Sequence, residues 1–332
     1  MKILGISGGM HSCGLAYLKD GKPEFAFEEE RFNRVRTYKD FYEDLFRFPY
    51  ECGQNVWYNK DFDWNKLDYI TSHYSAEVTE KIWDGIGLGP FPKEKFIKTN
   101  HHRAHCSLAY YCSGFEEDTL VVSIDAMGEK YSARYFIGSN GDLKDIGKIS
   151  NEFKSLGHYY AMLTEFLGFR RLKDEGKVVG TASHGHFFED FYNVFNKCVT
   201  IDGIKTDKDN GKVISGGIYE DFYKLWFEKF GSKFTCHVKN DIAYNGQLVF
   251  EEKVLEIFNN LHKKYPKIKK LALAGGIFAN VKLNKKINEL EWVDEVFIAP
   301  PMGDEGIPLG SALSVHKLKN PDFKPFRLDN IY

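Results

Sequence analysis

Apolar residues open the chain in short runs. Residues 2–6 (KILGI), 14–18 (GLAYL) and 24–28 (EFAFE) are separated by SGGMHSC and by the turn KDGKP. Runs of this length bounded by Gly, Pro and Asp predict three strands joined by tight turns, an antiparallel start to a mixed sheet. The charged stretch EEERFNRVRTYKD reads as helix or loop. LDYITSH (67–73) reads as a further strand, leading through a Gly/Pro-rich stretch at 85–92 to a histidine-bearing segment at residue 100.

The opening pattern returns at 119–137. TLVVSID, AMGEK and YSARYFIG again form strand, glycine turn and strand, and SNGDLKDIG adds a hairpin. In both places the glycines (Gly8 and Gly9, then Gly128) allow backbone to approach a phosphate closely. Two such halves predict an α/β protein of two lobes with a nucleotide cleft between them, the first lobe at 1–116 and the second at 117–332. The polar, irregular stretch 187–235 is expected to be an insertion or lid with short helices. From 240, NDIAYNGQLVFEEKVLEIFNNLHKKY carries apolar residues at helical spacing. KKLALAGGIFANVKLN then gives strand, Gly-Gly turn and helix start. EVFIAPPMGDEGIPLGSALSVHKL repeats that logic, and its closing helix (308–320) is expected to pack back onto the first lobe.

Composition narrows the class. The 332 residues are 43% apolar and 28% charged with net charge −2, and the isoelectric point is about 6.6. That balance argues against a protein built mainly to grip nucleic acid, while leaving a small basic patch open. Six scattered cysteines without a C-x-x-C pair read as reduced thiols in a cytoplasmic protein. MKILGISGG begins directly as a strand, without a signal-peptide core. No apolar run approaches the roughly 18 residues of a membrane span.

Candidate chemistry concentrates in NHHRAHCSLAYY, 100–111. His101 and His105 lie four apart, so on a helix both rings share a face and reach one metal. A polar helix end with stacked imidazoles is the alternative. His102 follows His101 directly and no glutamate lies between the pair, so this is not the H-E-x-x-H protease pattern. Two carboxylates are available to complete a site. Asp125 ends the buried run LVVSID, and Asp304 follows a strand in PPMGDEG; the alternatives are capping of the next turn and an N-cap of the following helix. Two histidines and two carboxylates would suit Fe(II), Zn or Mn and leave a position open for a ligand oxygen.

The glycine motifs are less specific. GISGGMHSCG is neither the Rossmann fingerprint nor a P-loop. Gly275 and Gly276 in LAGGIFAN would allow close approach to an adenosine or phosphate. RRLKDEGKVVGTASHG (170–185) mixes Lys173, Glu175 and Lys177 with small residues, lacks helical amphipathicity and reads as a solvated loop. KKYPKIKK (263–270) closes a helix, where lysines complement the dipole.

Ten segments in order carry a resemblance: ILGISGGMHSCGLAYLKDGK, EERFNRVR, FPYECGQNV, NHHRAHCSLAYY, VVSIDAMGEK, SLGHYYAMLTEFLGF, DEGKVVGTASHG, DIAYNGQLVFEE, LAGGIFANVKLN and PPMGDEGIPLGSAL. Spanning nearly the whole chain, they resemble the O-carbamoyltransferases of nodulation-factor and antibiotic biosynthesis, the NodU/CmcH type. More distantly they resemble the tRNA threonylcarbamoyl-transfer proteins. The resemblance implies the actin-like, Hsp70 and sugar-kinase (ASKHA) fold, with duplicated ribonuclease-H-like mixed sheets. It implies that ATP and carbamoyl phosphate yield carbamoyladenylate, and that the carbamoyl group then passes to a hydroxyl of a small molecule, sugar or modified nucleobase. On that pattern a metal, typically iron, is held by His101, His105, Asp125 and Asp304, with His102 beside the site. His11 would contact the carbamoyl group or deprotonate the acceptor. Arg36 stands where the family has lysine, so the charge is kept and its geometry changed. Glu175, Gly276 and Asn280 fall in segments that surround the nucleotide, as does Lys177. Ser12 replaces the family's usual aspartate after the histidine.

Family members usually continue into a second domain that makes carbamoyladenylate, whereas this chain stops at FRLDNIY. The resemblance therefore implies either a piece of a longer chain or a transferase domain supplied by a separate adenylate-forming partner. Two rival expectations remain: a threonylcarbamoyl-transfer-like protein acting on tRNA, and a non-catalytic nucleotide-binding subunit. A sugar kinase of this fold would need only Mg²⁺ and an aspartate base, so the histidine pair argues against it.

Overall fold

The computed structural model describes residues 1–8, 12–34, 48–57, 62–150, 155–204 and 236–328. His11, Arg36 and Gly9 lie outside them. The first lobe opens with β1 (Lys2–Ser7), β2 (Gly14–Lys19) and β3 (Lys22–Glu28), followed by α1 (Glu29–Asn33), α2 (Tyr50–Trp57), β4 (Tyr69–Ser72), α3 (Ala76–Ile86) and β5 (Phe96–Lys98). The helix α4 (His101–Tyr111) leads into β6 (Thr119–Gly128), β7 (Tyr131–Ser139) and β8 (Asp142–Ile149). Then come α5 (Leu156–Phe166), α6 (Glu175–Ala182), α7 (Glu189–Cys198) and a small hairpin of β9 (Val199–Thr200) and β10 (Gly203–Ile204). The long α8 (Cys236–Lys264), β11 (Lys270–Ala274), α9 (Val281–Asn288), β12 (Glu295–Ile298) and α10 (Ile307–Lys319) complete the order.

The two five-stranded sheets share one topology. The first runs β3-β2-β1-β4-β5 and the second β8-β7-β6-β11-β12. In each, three antiparallel strands come first, and two further strands then join parallel to the first of them. The sequence pattern explains which strand sits where. Residues Ile3 to Ser7 of β1 are buried without a break, as a central strand covered on both faces requires. In β3 exposure alternates and Pro23 stands near its start, which only an edge strand tolerates.

Among the described residues, apolar side chains gather in three cores. One packs α2 and α3 on the outer face of the first sheet, around Ile70, Trp83 and Ile86. Another packs α5 and α8 on the outer face of the second, around Tyr159, Phe250 and Phe258. The middle core lies between the sheets and is built from α4 and α10. There the lobes exchange helices: α4 packs on β6 and β11, while α10 packs on β1 and β2. The two helices touch so closely that a Cβ on Gly310 would stand 2.1 Å from the Ala104 carbonyl oxygen. Cys13, Cys52, Cys106 and Cys112 are buried thiols.

Two expectations need correction or limit. The stretch 170–185 is not a solvated loop throughout, because Glu175 to Ala182 form α6. Only Val178 and Ala182 bury on it, too narrow a stripe to register as amphipathic. Its start is braced instead by Asp174, which holds Arg170 at 2.9 Å and Lys177 at 3.1 Å. Of the expected lid, 187–204 contain α7 and the hairpin, and the rest lies outside the described residues. Among the described residues no helix is long and apolar enough to cross a membrane.

Candidate functional site

Asn100 starts α4 by accepting a hydrogen bond from the Arg103 amide at 3.0 Å. That cap sets His101 on the first turn and His105 one turn later on the same face. Asp125 comes from β6 beyond Ile124, where the pairing with β7 slips out of register and the strand is free to redirect a side chain. Asp304 opens the short 3₁₀ turn Asp304–Gly306 ahead of α10. It does not cap that helix, whose first residue is preceded by Gly306 without any side-chain cap.

The four side chains converge. Every pair of donor atoms among His101, His105, Asp125 and Asp304 lies within 4.8 Å. His105 Nε2 is 3.2 Å from Asp304 Oδ1 and 3.3 Å from Asp125 Oδ2, and His101 Nε2 is 3.5 Å from Asp304 Oδ1. His101 Nε2 and Asp125 Oδ2 are buried with no hydrogen-bond partner. Orphaned buried donor and acceptor atoms facing one point are what a metal ion resolves. The donor set of two imidazoles and two carboxylates fits a divalent ion such as Fe(II), Zn or Mn, with bonds of about 2.1 Å spanning the cluster. In the ion's absence the groups interact as acids and bases. Burial opposes charge on His105, but the carboxylates of Asp125 and Asp304 facing it outweigh that and lift its pKa to about 9. Burial likewise opposes charge on Asp125, yet both histidines hold it well below the usual carboxylate range.

His102 is turned away from this point. Its Nε2 lies 2.9 Å from the Tyr131 carbonyl oxygen, which only accepts, so that nitrogen carries the proton. Nδ1 then accepts from the Ser123 hydroxyl at 2.8 Å. Burial, reinforced by neighbouring His101, lowers the His102 pKa to about 3. Both ring nitrogens are occupied, and His102 is not a ligand.

Beside the four donors a cavity of about 540 Å³ opens between the lobes. Asp125 and Asp304 lie on its wall, with Gly276 and Asn280 from the β11–α9 turn and Glu175 from α6. Gly275 precedes them with φ of +109°, and a Cβ there would stand 2.2 Å from the Ile124 carbonyl oxygen, so the turn requires glycine. Among the described residues six carboxylates line the cavity (Glu28, Glu30, Asp125, Glu175, Asp304 and Glu305) against two cations, Arg31 and Lys173. A phosphate entering so acidic a space needs a cation to meet it.

The other expected residues are placed differently. Lys177 does not line the cavity; its ammonium pairs with Asp174. Gly128 packs on the rings of His101 and His102, where a Cβ would fall 2.4 Å from the His101 ring, so its lack of a side chain lets the histidines seat there. Gly8 accepts a hydrogen bond from the Tyr74 hydroxyl at 2.8 Å and is not among the lining residues. Glu175 lines the cavity while one oxygen accepts the Leu172 amide at 2.6 Å.

Sequence reasoning gave no role to Glu28, Arg31, Ser12 or Glu305. Ser12 donates to Glu305 Oε1 at 2.8 Å, joining the first glycine loop to the turn that carries Asp304. Burial, and then the charge of Glu305, raises the Glu28 pKa, and Glu28 holds Arg31 at 2.9 Å. Arg31 and Glu305 fall within EERFNRVR and PPMGDEG, Glu28 stands just before the first of these, and Ser12 lies in the first glycine loop.

Comparison with known proteins fits this arrangement. An uncharacterised protein of Methanocaldococcus jannaschii, MJ1051, is 31% identical over 319 residues, covering 94% of this chain and 57% of its own. The nodulation protein NolNO of Sinorhizobium fredii is 27% identical over 376 residues, covering all of this chain and 52% of its own. The chain thus spans about half the length of these relatives. Among solved structures, full-length HypF in its phosphate- and nucleotide-bound form superposes with a TM-score of 0.52 at 15% identity, over 96% of this chain and 56% of HypF. The activator of 2-hydroxyisocaproyl-CoA dehydratase from Clostridium difficile, with bound ADPNP, gives 0.51 at 11%, over 98% of this chain and 99% of its own. These likenesses bear on fold alone: with the duplicated sheets, they identify the two-lobed actin-like, Hsp70 and sugar-kinase architecture. The carbamoyltransferase N-terminus pattern matches residues 74–313, a stretch that contains all four donors of the cluster. On that match, over well more than half its length, the chain belongs to the carbamoyltransferase N-terminus family.

Proposed function

We propose that this chain binds carbamoyladenylate in the cleft and transfers its carbamoyl group to a hydroxyl of a small molecule, sugar or modified nucleobase. ATP and carbamoyl phosphate would be the sources of the adenylate, made by a further domain or a separate protein. The observation that carries the reading is the His101, His105, Asp125 and Asp304 cluster opening onto an acidic cavity, in a chain of the carbamoyltransferase N-terminus family.

The chemistry divides simply. The acceptor oxygen attacks the carbamoyl carbon, the bond from that carbon to the phosphate oxygen breaks, and AMP leaves with the electron pair. A divalent ion at the cluster would neutralise phosphate charge. The chain's own residues do the rest. His101 and His105 fix the donor atoms on one helix face. The backbone at Gly275 and Gly276 lets the nucleotide approach the turn. His11 is proposed to orient the carbamoyl carbonyl or take the acceptor proton, with Arg36 assisting; a positioned base of this kind supplies roughly 10²–10⁴ in rate.

Synthetic carbamoyladenylate offered with a panel of hydroxyl acceptors tests the reading. AMP release that depends on acceptor, and that His11→Ala reduces at least about 10²-fold, is expected. Acceptor-independent hydrolysis alone, unchanged in His11→Ala, would contradict it.

A further inference from the structure

One wall of the cavity is backed by polar groups that solvent does not reach. Tyr160 on α5 and Asn280 at the start of α9 line the cavity. Behind them Gln247 and Glu251, one turn apart on α8, are completely buried. Gln247 Nε2 donates to Glu251 Oε1 at 2.6 Å and to Asn280 Oδ1 at 3.1 Å. Gln247 Oε1 accepts from the Tyr160 hydroxyl at 2.5 Å and from Asn280 Nδ2 at 3.0 Å. Both donors and both lone pairs of the glutamine are in use. The Lys286 ammonium, 35% exposed, stands 2.5 Å from Glu251 Oε2 and completes a chain from the surface to the cavity.

A buried carboxylate with its lysine adds little stability over well-packed apolar residues of the same size. What the chain supplies is orientation. A glutamine amide turned end for end keeps its shape, so packing does not choose between the two arrangements. A carboxylate chooses, because it only accepts. Glu251 draws Nε2 toward itself, which turns Oε1 to Tyr160 and Asn280 and draws the Tyr160 proton inward. Asn280 is held in the same sense, since its Oδ1 also accepts the Leu283 amide at 3.1 Å.

We infer that Glu251, its charge held by Lys286, is a positioning residue: through Gln247 it fixes the hydrogen-bond polarity of Tyr160 and Asn280 at the nucleotide cavity. The tyrosine, its proton already donated, meets a ligand as an acceptor, so the wall suits a nucleoside group that donates. The inference rests on the proposed nucleotide reading.

The test measures AMP affinity by calorimetry, together with Tm, for the metal-loaded full chain and for Lys286→Met, Lys286→Arg and Glu251→Gln loaded in the same way. Lys286→Met and Glu251→Gln weaken the carboxylate's hold on Gln247 Nε2, leaving Asn280 alone to orient the amide, and are expected to weaken AMP about tenfold. Lys286→Arg keeps the charge and is expected to stay within about twofold of the parent. Lys286 sits at the surface, so its two variants decide the question even where Glu251→Gln fails to fold. A lowered Tm with unchanged AMP affinity in Lys286→Met would reduce the network to packing and overturn the inference. Equal weakening by Lys286→Arg and Lys286→Met would also overturn it, since charge would then not be what matters. A parent protein that does not bind AMP sinks the nucleotide reading itself, and this inference with it; binding by the parent and by all variants alike sinks only the inference.

Discussion

Four side chains meet at one point from three separate elements, and only His101 and His105 are neighbours in sequence. Their i, i+4 spacing was legible from the letters alone, because a helix puts such a pair on one face. Asp125 was legible as a carboxylate ending an apolar run and Asp304 as one following a strand, but capping stayed an alternative for both until their oxygens proved to face the imidazoles. Asp304→Asn is expected to abolish stoichiometric metal uptake while leaving the fold intact; metal analysis after dialysis against Fe(II), Zn or Mn checks it. His102 supplies a second residue-scale prediction. Its pKa is lowered from 6.5 to about 3 in the fold, so between those values the unfolded chain binds one more proton than the native one. The neutral imidazole's contribution is therefore complete above pH 6.5 and is lost as pH falls toward 3. Urea unfolding of metal-free protein should lose stability across this window more steeply than His102→Gln does, by up to about 1.4 kcal/mol per pH unit. Parallel pH profiles would show that His102 is not held neutral.

At the level of elements, the strands and the long α8 followed from apolar runs and spacing. What the pattern missed has a physical cause in each case. The helix α6 buries only two side chains on its own account, and its neighbours and the Asp174 brace stabilise it more than its sequence does. Tyr160, Gln247 and Glu251 were invisible because polar residues inside a helical pattern read as a solvated face. Gly310 and Ala104 carry the contact between α4 and α10, and with it the placement of both histidines. Gly310→Ala should destabilise the protein by about 2–3 kcal/mol through overpacking and should loosen the metal site at the same time. Thermal unfolding and metal affinity measured on the same variant check both parts; a tight metal site in a destabilised protein would mean the helix contact serves packing alone.

Across the whole molecule, the doubling of strand, glycine turn and strand anticipated the two sheets, and their identical order explains why one cleft lies between them. The exchange of helices was less legible, since no local pattern says that α4 leaves the first lobe to pack on the second sheet. That exchange brings a helix of the first half beside Asp125 and Asp304 of the second, so the site exists only in the folded pair of lobes. Its acidity sets the expected behaviour: nucleotide binding should require the metal, because six carboxylates otherwise repel the phosphate. The most direct measurement is calorimetric binding of AMP to metal-analysed protein, beside the same protein stripped of metal and a His101→Ala/His105→Ala variant. The account predicts binding only where one equivalent of metal and both histidines are present. Equal binding by all three samples would contradict it.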